Sequence, residues 1–99
     1  MNTFFVFALL PLAVFGVITD RNCTTGGAYS SDAVDCSNQI GEVTCTTLYP
    51  GTPAAAGSTT ERPNNCWTID GVNINQQMKD AAIVYCAKRC GYCCAGPHF

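Results

Sequence analysis

Histidine and basic residues are scarce in this sequence. Its 99 residues include one histidine, His98, and five Lys or Arg against seven Asp or Glu. A catalytic triad needs a histidine within reach of its nucleophile, and His98 lies next to the last residue. A net charge of −2 provides neither the basic face of a nucleic-acid binder nor the polybasic patch of a membrane-surface protein. We therefore expect no catalysis, no cofactor and no nucleic-acid partner.

Long hydrophobic runs are also missing, except at the N-terminus. Residues 4–15 are almost continuously apolar, but this run is shorter than the roughly 20 residues of a membrane span. It has the length of a signal-peptide core and ends at Val14-Phe15-Gly16, which offers residues of small or modest size for cleavage. A membrane anchor or a buried helix is the alternative. We expect residues 1–16 to be a signal peptide, and the mature protein to be secreted, monomeric and not inserted in a membrane.

The remaining chain has few large hydrophobic residues, and a core built on them would be marginal. Cysteines are plentiful instead, and an even number in a short secreted chain predicts complete pairing. The fold class we expect is small, disulfide-rich and mainly α, with short helices, long irregular loops and no extended sheet. The large hydrophobic residues are Ile40, Val43, Leu48, Trp67, Ile69, Val72, Ile74, Met78, Ile83 and Val84. The cysteines are Cys23, Cys36, Cys45, Cys66, Cys86, Cys90, Cys93 and Cys94.

Half of the cysteines lie within the nine residues of the C-terminal segment 86–94. Cys93 and Cys94 are adjacent, and about 3.8 Å between neighbouring Cα atoms is shorter than a disulfide usually spans. We expect each tail cysteine to reach back to an upstream partner. Eight cysteines allow 105 connectivities, so spacing leaves the pairing open. The Cys90-x-x-Cys93 spacing also occurs in zinc and redox sites, but a second such pair is lacking, and we expect no metal.

Two helices are predicted. A weak helical pattern over residues 36–49 ends at Pro50-Gly51. A stronger one runs over residues 75–88, with Asn73 or Asn75 as N-cap and Gly91 as C-cap. The first would present Cys36, Ile40, Val43 and Thr47 on one face, and the second Met78, Ala82, Ile83, Cys86 and Cys90.

The segments outside the helices have different characters. Residues 17–35 predict an irregular N-terminal arm, and Asn22-Cys23-Thr24 within it is a glycosylation sequon, although a disulfide at Cys23 would restrict access to Asn22. Residues 50–65 are rich in Pro, Gly and Thr and predict an exposed, mobile loop. Asp70-Gly71 predicts a turn after a short β-prone piece that lays Trp67 over the core.

The C-terminal cysteine-rich segment 86–94 resembles a known family. The spacing Cys86-x-x-x-Cys90-x-x-Cys93, with Gly91 directly after the second cysteine, is similar to the end of the ShK toxin-like (ShKT) domain, a six-cysteine module named after a sea-anemone potassium-channel toxin. Lys88 matches the family tail, whereas Ala87 and Arg89 depart from it. The doubled cysteine at positions 93 and 94 resembles an eight-cysteine variant found in nematode secreted proteins. The resemblance covers residues 36–94, followed by a tail over 95–99.

The resemblance implies a disulfide pairing. Transferred to this chain, the family pattern joins Cys36 to Cys93, Cys45 to Cys86 and Cys66 to Cys90. Cys23 and Cys94 remain and would form the fourth bridge. We expect that bridge to be peripheral and to attach the arm to the end of the domain.

The resemblance also raises channel block as a function. The toxin inserts a lysine into the channel pore, and Met78-Lys79 resembles its Met-Lys pair. Asp80 follows where the toxin has a tyrosine, and an acid there would oppose docking at an electronegative pore. A solvated Lys79 on a helix surface is therefore the interpretation we favour.

The function that these observations favour is a secreted, disulfide-stabilised interaction module that binds an extracellular protein and has no catalytic activity. A toxin-like potassium-channel modulator is the alternative. An accessory or inhibitory domain for a secreted enzyme fits the sequence as well.

Overall fold

The computed structural model describes residues 18–96, so the expected signal peptide (1–16) and His98 lie outside the described residues. Over this range the chain is mainly irregular, with short helices and a single two-stranded antiparallel sheet. The predicted fold class is thereby confirmed. Single-turn 3-10 helices lie at Ser31–Ala33, Asn64–Cys66 and Cys93–Ala95. The other elements are β1 (Thr24–Thr25), β2 (Ala28–Tyr29), α1 (Glu42–Leu48), α2 (Gln76–Tyr85) and α3 (Ala87–Cys90).

All eight cysteines are paired, and each bridge joins one upstream cysteine to one in the tail. The pairs match those that the family resemblance implies. Each bridge constrains the unfolded chain, typically by about 2–4 kcal/mol and by less where loops nest as they do here. The bridges are Cys23–Cys94, Cys36–Cys93, Cys45–Cys86 and Cys66–Cys90.

The N-terminal segment forms a hairpin rather than an irregular arm. β1 and β2 pair antiparallel with Thr24 opposite Tyr29. The two connecting residues, Gly26 and Gly27, both have positive φ, at 64° and 86°. Such angles are those of the two-residue turn whose twist matches paired strands. The hairpin carries Tyr29 into the interior, where 2% of its surface remains exposed.

Helix α1 is shorter than predicted and buries a different face. It starts at Glu42, after Gly41, and ends at Leu48. Val43 is 81% exposed, whereas Cys45 and Tyr49 are buried. The Cys45–Cys86 bridge draws the Cys45 side of the helix inward, so the face with Ile40 and Val43 turns to solvent.

The predicted helix over 75–88 is divided at Cys86. The Asn75 side chain accepts a hydrogen bond from the Met78 N–H at 3.0 Å, which confirms this N-cap. At the far end, the Tyr85 carbonyl accepts from Gln39 N–H, and Arg89 N–H donates to the Asn38 side chain. These two groups would bond each other in a continuous helix, so the inserted segment separates α2 from α3.

Gly91 ends α3 in the left-handed conformation, as predicted, with φ 73° and ψ 38°. Tyr92 N–H donates to the Ala87 carbonyl and Gly91 N–H to the Lys88 carbonyl. This is the Schellman pattern of helix termination. It directs Tyr92 into the centre of the molecule, where it is fully buried.

The interior consists of cystines and aromatic rings. Trp67 lies over it as predicted, together with Tyr49, Tyr92 and buried cysteines. A second group, formed by Ile18, Tyr29 and Ala33, comes from the N-terminal segment. The aliphatic residues expected in the core are mostly exposed, because cystines and tyrosines fill the space between the segments they join. The exposed ones are Ile40, Val43, Leu48, Ile69, Val72, Ile74 and Val84.

We predict that Gly91→Ala destabilises the protein by about 2–4 kcal/mol, since it combines a left-handed backbone with steric overlap. A methyl group there would lie 2.8 Å from the Ala54 Cβ and 3.0 Å from Arg62 Nη1. Gly26→Ala is the matched control, because Gly26 has a similar φ of 64° and open space around it. Chemical unfolding with the disulfides intact measures both. Equal losses in the two variants would show that close packing at Gly91 is unimportant.

Candidate functional site

Arg62 lies at the centre of the molecule with 1% of its surface exposed. Its Nη1 donates to the carbonyls of Cys90 and Gly91 at 2.6 and 2.8 Å. Its Nη2 donates to the carbonyls of Asp20 and Asn22. The predicted exposed, mobile loop over 50–65 is therefore wrong at Arg62, which joins the N-terminal segment to the end of α3.

Two tyrosine rings enclose the Arg62 guanidinium. Its central carbon lies 4.2 Å from the centroid of the Tyr92 ring and 5.1 Å from that of Tyr29. Cation–π contacts of this kind are worth more when the cation is removed from water. The Tyr29 hydroxyl donates to the Thr60 carbonyl at 2.8 Å, and burial raises the pKa of Tyr29 to about 12. The ring therefore stays neutral and in place at physiological pH.

Arg62, Tyr29 and Tyr92 form a buried group around the guanidinium, and the Asp20 carboxylate is its anion. It accepts from the Tyr92 hydroxyl at 2.6 Å and lies 3.1 Å from the Lys79 ammonium. Asn22 N–H donates to its other oxygen. Burial opposes ionisation of Asp20, but these hydrogen bonds and the Lys79 charge outweigh burial and hold its pKa below the ordinary value of 3.8. Asp20 thus remains charged and linked to α2 and to the tail.

Lys79 is not a solvated surface residue, and that interpretation is wrong. Its side chain is 11% exposed and its ammonium is paired with Asp20. The sequence places Lys79 on α2, while its partner lies far away in the N-terminal segment, so local spacing contains no sign of the pair. The side chain proposed for channel contact is directed into the protein.

The N-terminal segment is part of the core, so the Cys23–Cys94 bridge attaches a packed segment and not a loose arm. Asp20 and Tyr29 both contact the buried group around Arg62. Glu61 adds a second connection, because its carboxylate accepts from the backbone N–H and the hydroxyl of Thr19, the latter at 2.7 Å. Asn22 of the sequon is exposed, and its own carbonyl binds Arg62.

The two cysteines of the C-x-x-C spacing form disulfides with different segments of the chain. Cys90 bridges to Cys66 and Cys93 to Cys36, so both sulfurs are in disulfides. Within residues 18–96, no group of three or more His, Cys, Asp or Glu side chains is placed to hold a metal ion. The same part of the chain contains no helix long and apolar enough to cross a membrane.

A cleft of about 440 Å³ lies beside Arg62, lined by residues 50–52 and 60–65. Its charged members are Glu61 and Arg62, and both are engaged in internal hydrogen bonds, with Thr19 and with backbone carbonyls. The remaining lining is Pro, Gly, Thr and Asn. We therefore place the candidate site elsewhere.

An exposed loop, residues 68–74, is the most distinctive surface feature, and we call it the aliphatic loop. Thr68 and Ile74 pair in an isolated antiparallel bridge at its base. Ile69, Val72 and Ile74 are 73%, 71% and 49% exposed. Three aliphatic side chains of one seven-residue loop thus face solvent, and the backbone bridge joins the two ends of that loop.

Asp70 organises the aliphatic loop from within. Its carboxylate accepts from the N–H groups of Val72 and Asn73, both at 2.9 Å, and from the Asn73 side chain. The Thr68 hydroxyl donates to it as well, at 3.0 Å. These hydrogen bonds, led by those from the Asn73 and Val72 backbone, hold the pKa of Asp70 well below its usual range. The predicted turn at Asp70-Gly71 is present, and these hydrogen bonds to the Asp70 carboxylate stabilise it.

No local signal identifies Arg62 as buried or the aliphatic side chains of the loop as exposed. Arg62 lies in a Pro-, Thr- and Asn-rich segment typical of exposed loops. Ile69, Val72 and Ile74 have the composition of core residues, and only the cystine-filled interior leaves them outside. The Asp-Gly pair is the single detectable sign of the loop.

We predict that Arg62→Leu lowers the free energy of unfolding by about 3–5 kcal/mol, because it leaves buried carbonyls and one face of each tyrosine ring without a partner. Arg62→Lys should be almost as damaging, since one ammonium cannot bond carbonyls on two sides. Lys88→Leu, at an exposed position of α3, is the control and should have little effect. Denaturant unfolding of the oxidised protein measures all three, and a loss below about 1 kcal/mol for Arg62→Leu would contradict a central role.

We predict that Asp20→Asn weakens stability most at neutral pH. A carboxyl whose folded pKa is depressed contributes stability above its unfolded pKa, near 3.9, and loses it as pH falls through the folded value. The difference between the native protein and Asp20→Asn should therefore shrink below about pH 4. Asp35→Asn, an exposed acid, is the control. Unfolding curves from pH 7 to pH 2 make the comparison, and a pH-independent difference would refute the role given to the Asp20 charge.

Comparison of this chain with protein-family models, curated protein sequences and solved structures finds no match. The resemblance to the ShKT domain therefore depends on the cysteine spacing of the tail, and the four bridges agree with the pairing that it implies. The features of the molecule that bear on function are the buried group around Arg62, the cystine framework and the aliphatic loop.

Proposed function

We propose that this protein is an extracellular, disulfide-stabilised interaction module that binds a partner protein through the aliphatic loop and has no catalytic activity of its own. Four disulfides in a small domain are typical of extracellular proteins. The apolar run over residues 4–15 supports secretion through a signal peptide. The resemblance to ShKT modules supports the same proposal, since the eight-cysteine variant that this chain resembles is found in secreted proteins.

The observation that carries this proposal is the exposure of Ile69, Val72 and Ile74 on a loop that is already ordered. Exposed aliphatic groups that lie together on a small protein mark interaction sites more often than single ones do. The Asp70 hydrogen bonds hold the loop in one conformation, so a partner would not have to order it on binding. A rigid base with an apolar tip is well suited to insertion into a shallow pocket of another protein.

The alternative of potassium-channel modulation has less support. The residue that the resemblance assigns to the pore is Lys79, and its ammonium is paired with Asp20. Releasing it would leave a buried carboxylate without its cation, which is costly. The accessory-domain alternative is compatible with our proposal, because such a domain would also act through a binding surface.

We predict that Ile69→Ser with Val72→Ser weakens partner binding about tenfold or more, because each aliphatic side chain contributes about 1–3 kcal/mol when it is buried. The oxidised protein would be immobilised and cross-linked to extracellular material from its source, and captured proteins quantified by mass spectrometry. The change should leave stability intact because both side chains are exposed.

Val43→Ser with Leu48→Ser is the matched control, since these aliphatic residues are exposed on α1. A partner that is lost from the loop variant and retained by the α1 variant supports the proposal. A capture profile that the loop variant leaves unchanged would refute it.

A further inference from the structure

We infer that the partner of the aliphatic loop presents a cationic amphipathic segment, in which basic side chains flank apolar ones. This inference rests on the proposed function and adds the chemical class of the ligand. It follows from how the structure distributes the few charges of the chain between interior and surface.

Most of the cationic side chains are buried or bonded to other groups of the chain. Arg62 is buried, and Lys79 is paired with Asp20. Arg89 is half-buried and donates to the carbonyls of Tyr49 and Gly51 at 2.6 and 2.8 Å. Among the described residues, Arg21 and Lys88 are the cations left exposed.

The negative charges are mostly outside. Five acids are exposed against those two cations, so the surface is more acidic than the net charge of −2 indicates. An acidic surface favours encounter with basic partners and repels acidic ones. The exposed acids are Asp32, Asp35, Glu42, Asp70 and Asp80.

The imbalance is complete within residues 63–87, the segment that contains the aliphatic loop. Between Arg62 and Lys88 the sequence has one cation, Lys79, and the structure turns it inward. Asp70 lies within the loop, and Asp80 is exposed on α2, the helix that begins directly after it. The surface of this segment therefore combines exposed aliphatic groups with carboxylates and offers no exposed cation.

This combination selects among partners. Apolar contacts of Ile69, Val72 and Ile74 would supply affinity. The carboxylates of Asp70 and Asp80 accept hydrogen bonds within the chain, so they would act through their negative charge, which attracts basic groups. A second copy of this chain would oppose acid to acid, and an anionic membrane or nucleic acid would be repelled. A peptide segment with apolar and basic side chains satisfies both features.

The test uses three labelled peptides of equal length and leucine content, with Lys, Gln or Glu at the polar positions. Fluorescence anisotropy measures their affinity for the full oxidised chain at about 0.05 M and about 0.5 M salt. We expect the Leu/Lys peptide to bind about five- to tenfold more tightly than the Leu/Gln peptide at low salt, and the Leu/Glu peptide to bind most weakly. The advantage should diminish at high salt, because surface charges are then screened.

Variants of the protein show which residues the binding of the Leu/Lys peptide depends on. Ile69→Ser with Val72→Ser should abolish Leu/Lys binding, whereas Asp80→Asn should weaken it about two- to threefold and leave Leu/Gln binding unchanged. Asp35→Asn removes an exposed acid outside this segment and is the matched control, expected to have less effect. Leu/Lys binding that survives the loop variant would be non-specific adsorption and would overturn the inference.

The remaining outcomes separate this inference from the proposed function. Equal affinity for all three peptides, or no binding of any, combined with loop-dependent capture of a partner, would overturn the cationic class and leave the interaction module standing. Binding to anionic lipid vesicles, or self-association that the loop variant abolishes, would also overturn it. Loop-independent capture would refute the proposed function itself.

Discussion

The Arg62 guanidinium holds together three parts of the chain that the disulfides alone would leave loosely arranged. It bonds carbonyls of the N-terminal segment and of the turn after α3, and the rings of Tyr29 and Tyr92 cover its faces. A buried cation costs desolvation free energy, and only a nearly complete set of acceptors offsets that cost. The fold is therefore sensitive to any change that moves one of these acceptors, including a side chain at Gly91.

The composition of the core determines the composition of the surface. Cystines, tyrosines and one tryptophan fill an interior that is too small for many aliphatic side chains. Aliphatic residues consequently remain outside, on α1 and on the aliphatic loop. Because the Arg62 and Lys79 side chains are buried, the exposed charges are mostly negative, and the surface is acidic. An apolar, acidic exterior is thus linked to how the interior is stabilised.

The aliphatic loop contrasts with the cleft beside Arg62. The charged groups of the cleft already serve internal hydrogen bonds, so they have little capacity left for a ligand. The loop uses a set of solvent-exposed hydrogen bonds around Asp70 to display aliphatic side chains that are themselves exposed. Preorganisation of this kind lowers the entropic cost of association, and this is the physical basis for assigning recognition to the loop.

Local chemistry determined much of this protein from sequence alone. Eight cysteines in a small chain determined a disulfide-rich fold, and the helical pattern over residues 75–88 located its main helical segment. The capping chemistry of Asn75 and Gly91 determined one end of α2 and one end of α3, because caps depend on neighbouring residues. Tertiary structure alone decided that Arg62 and Lys79 are buried, that Asn38 divides the predicted helix, and that Val43 and Ile69 face solvent. Each of these depends on contacts between residues distant in sequence, and a pattern of period 3.6 contains no information about which face a disulfide will draw inward.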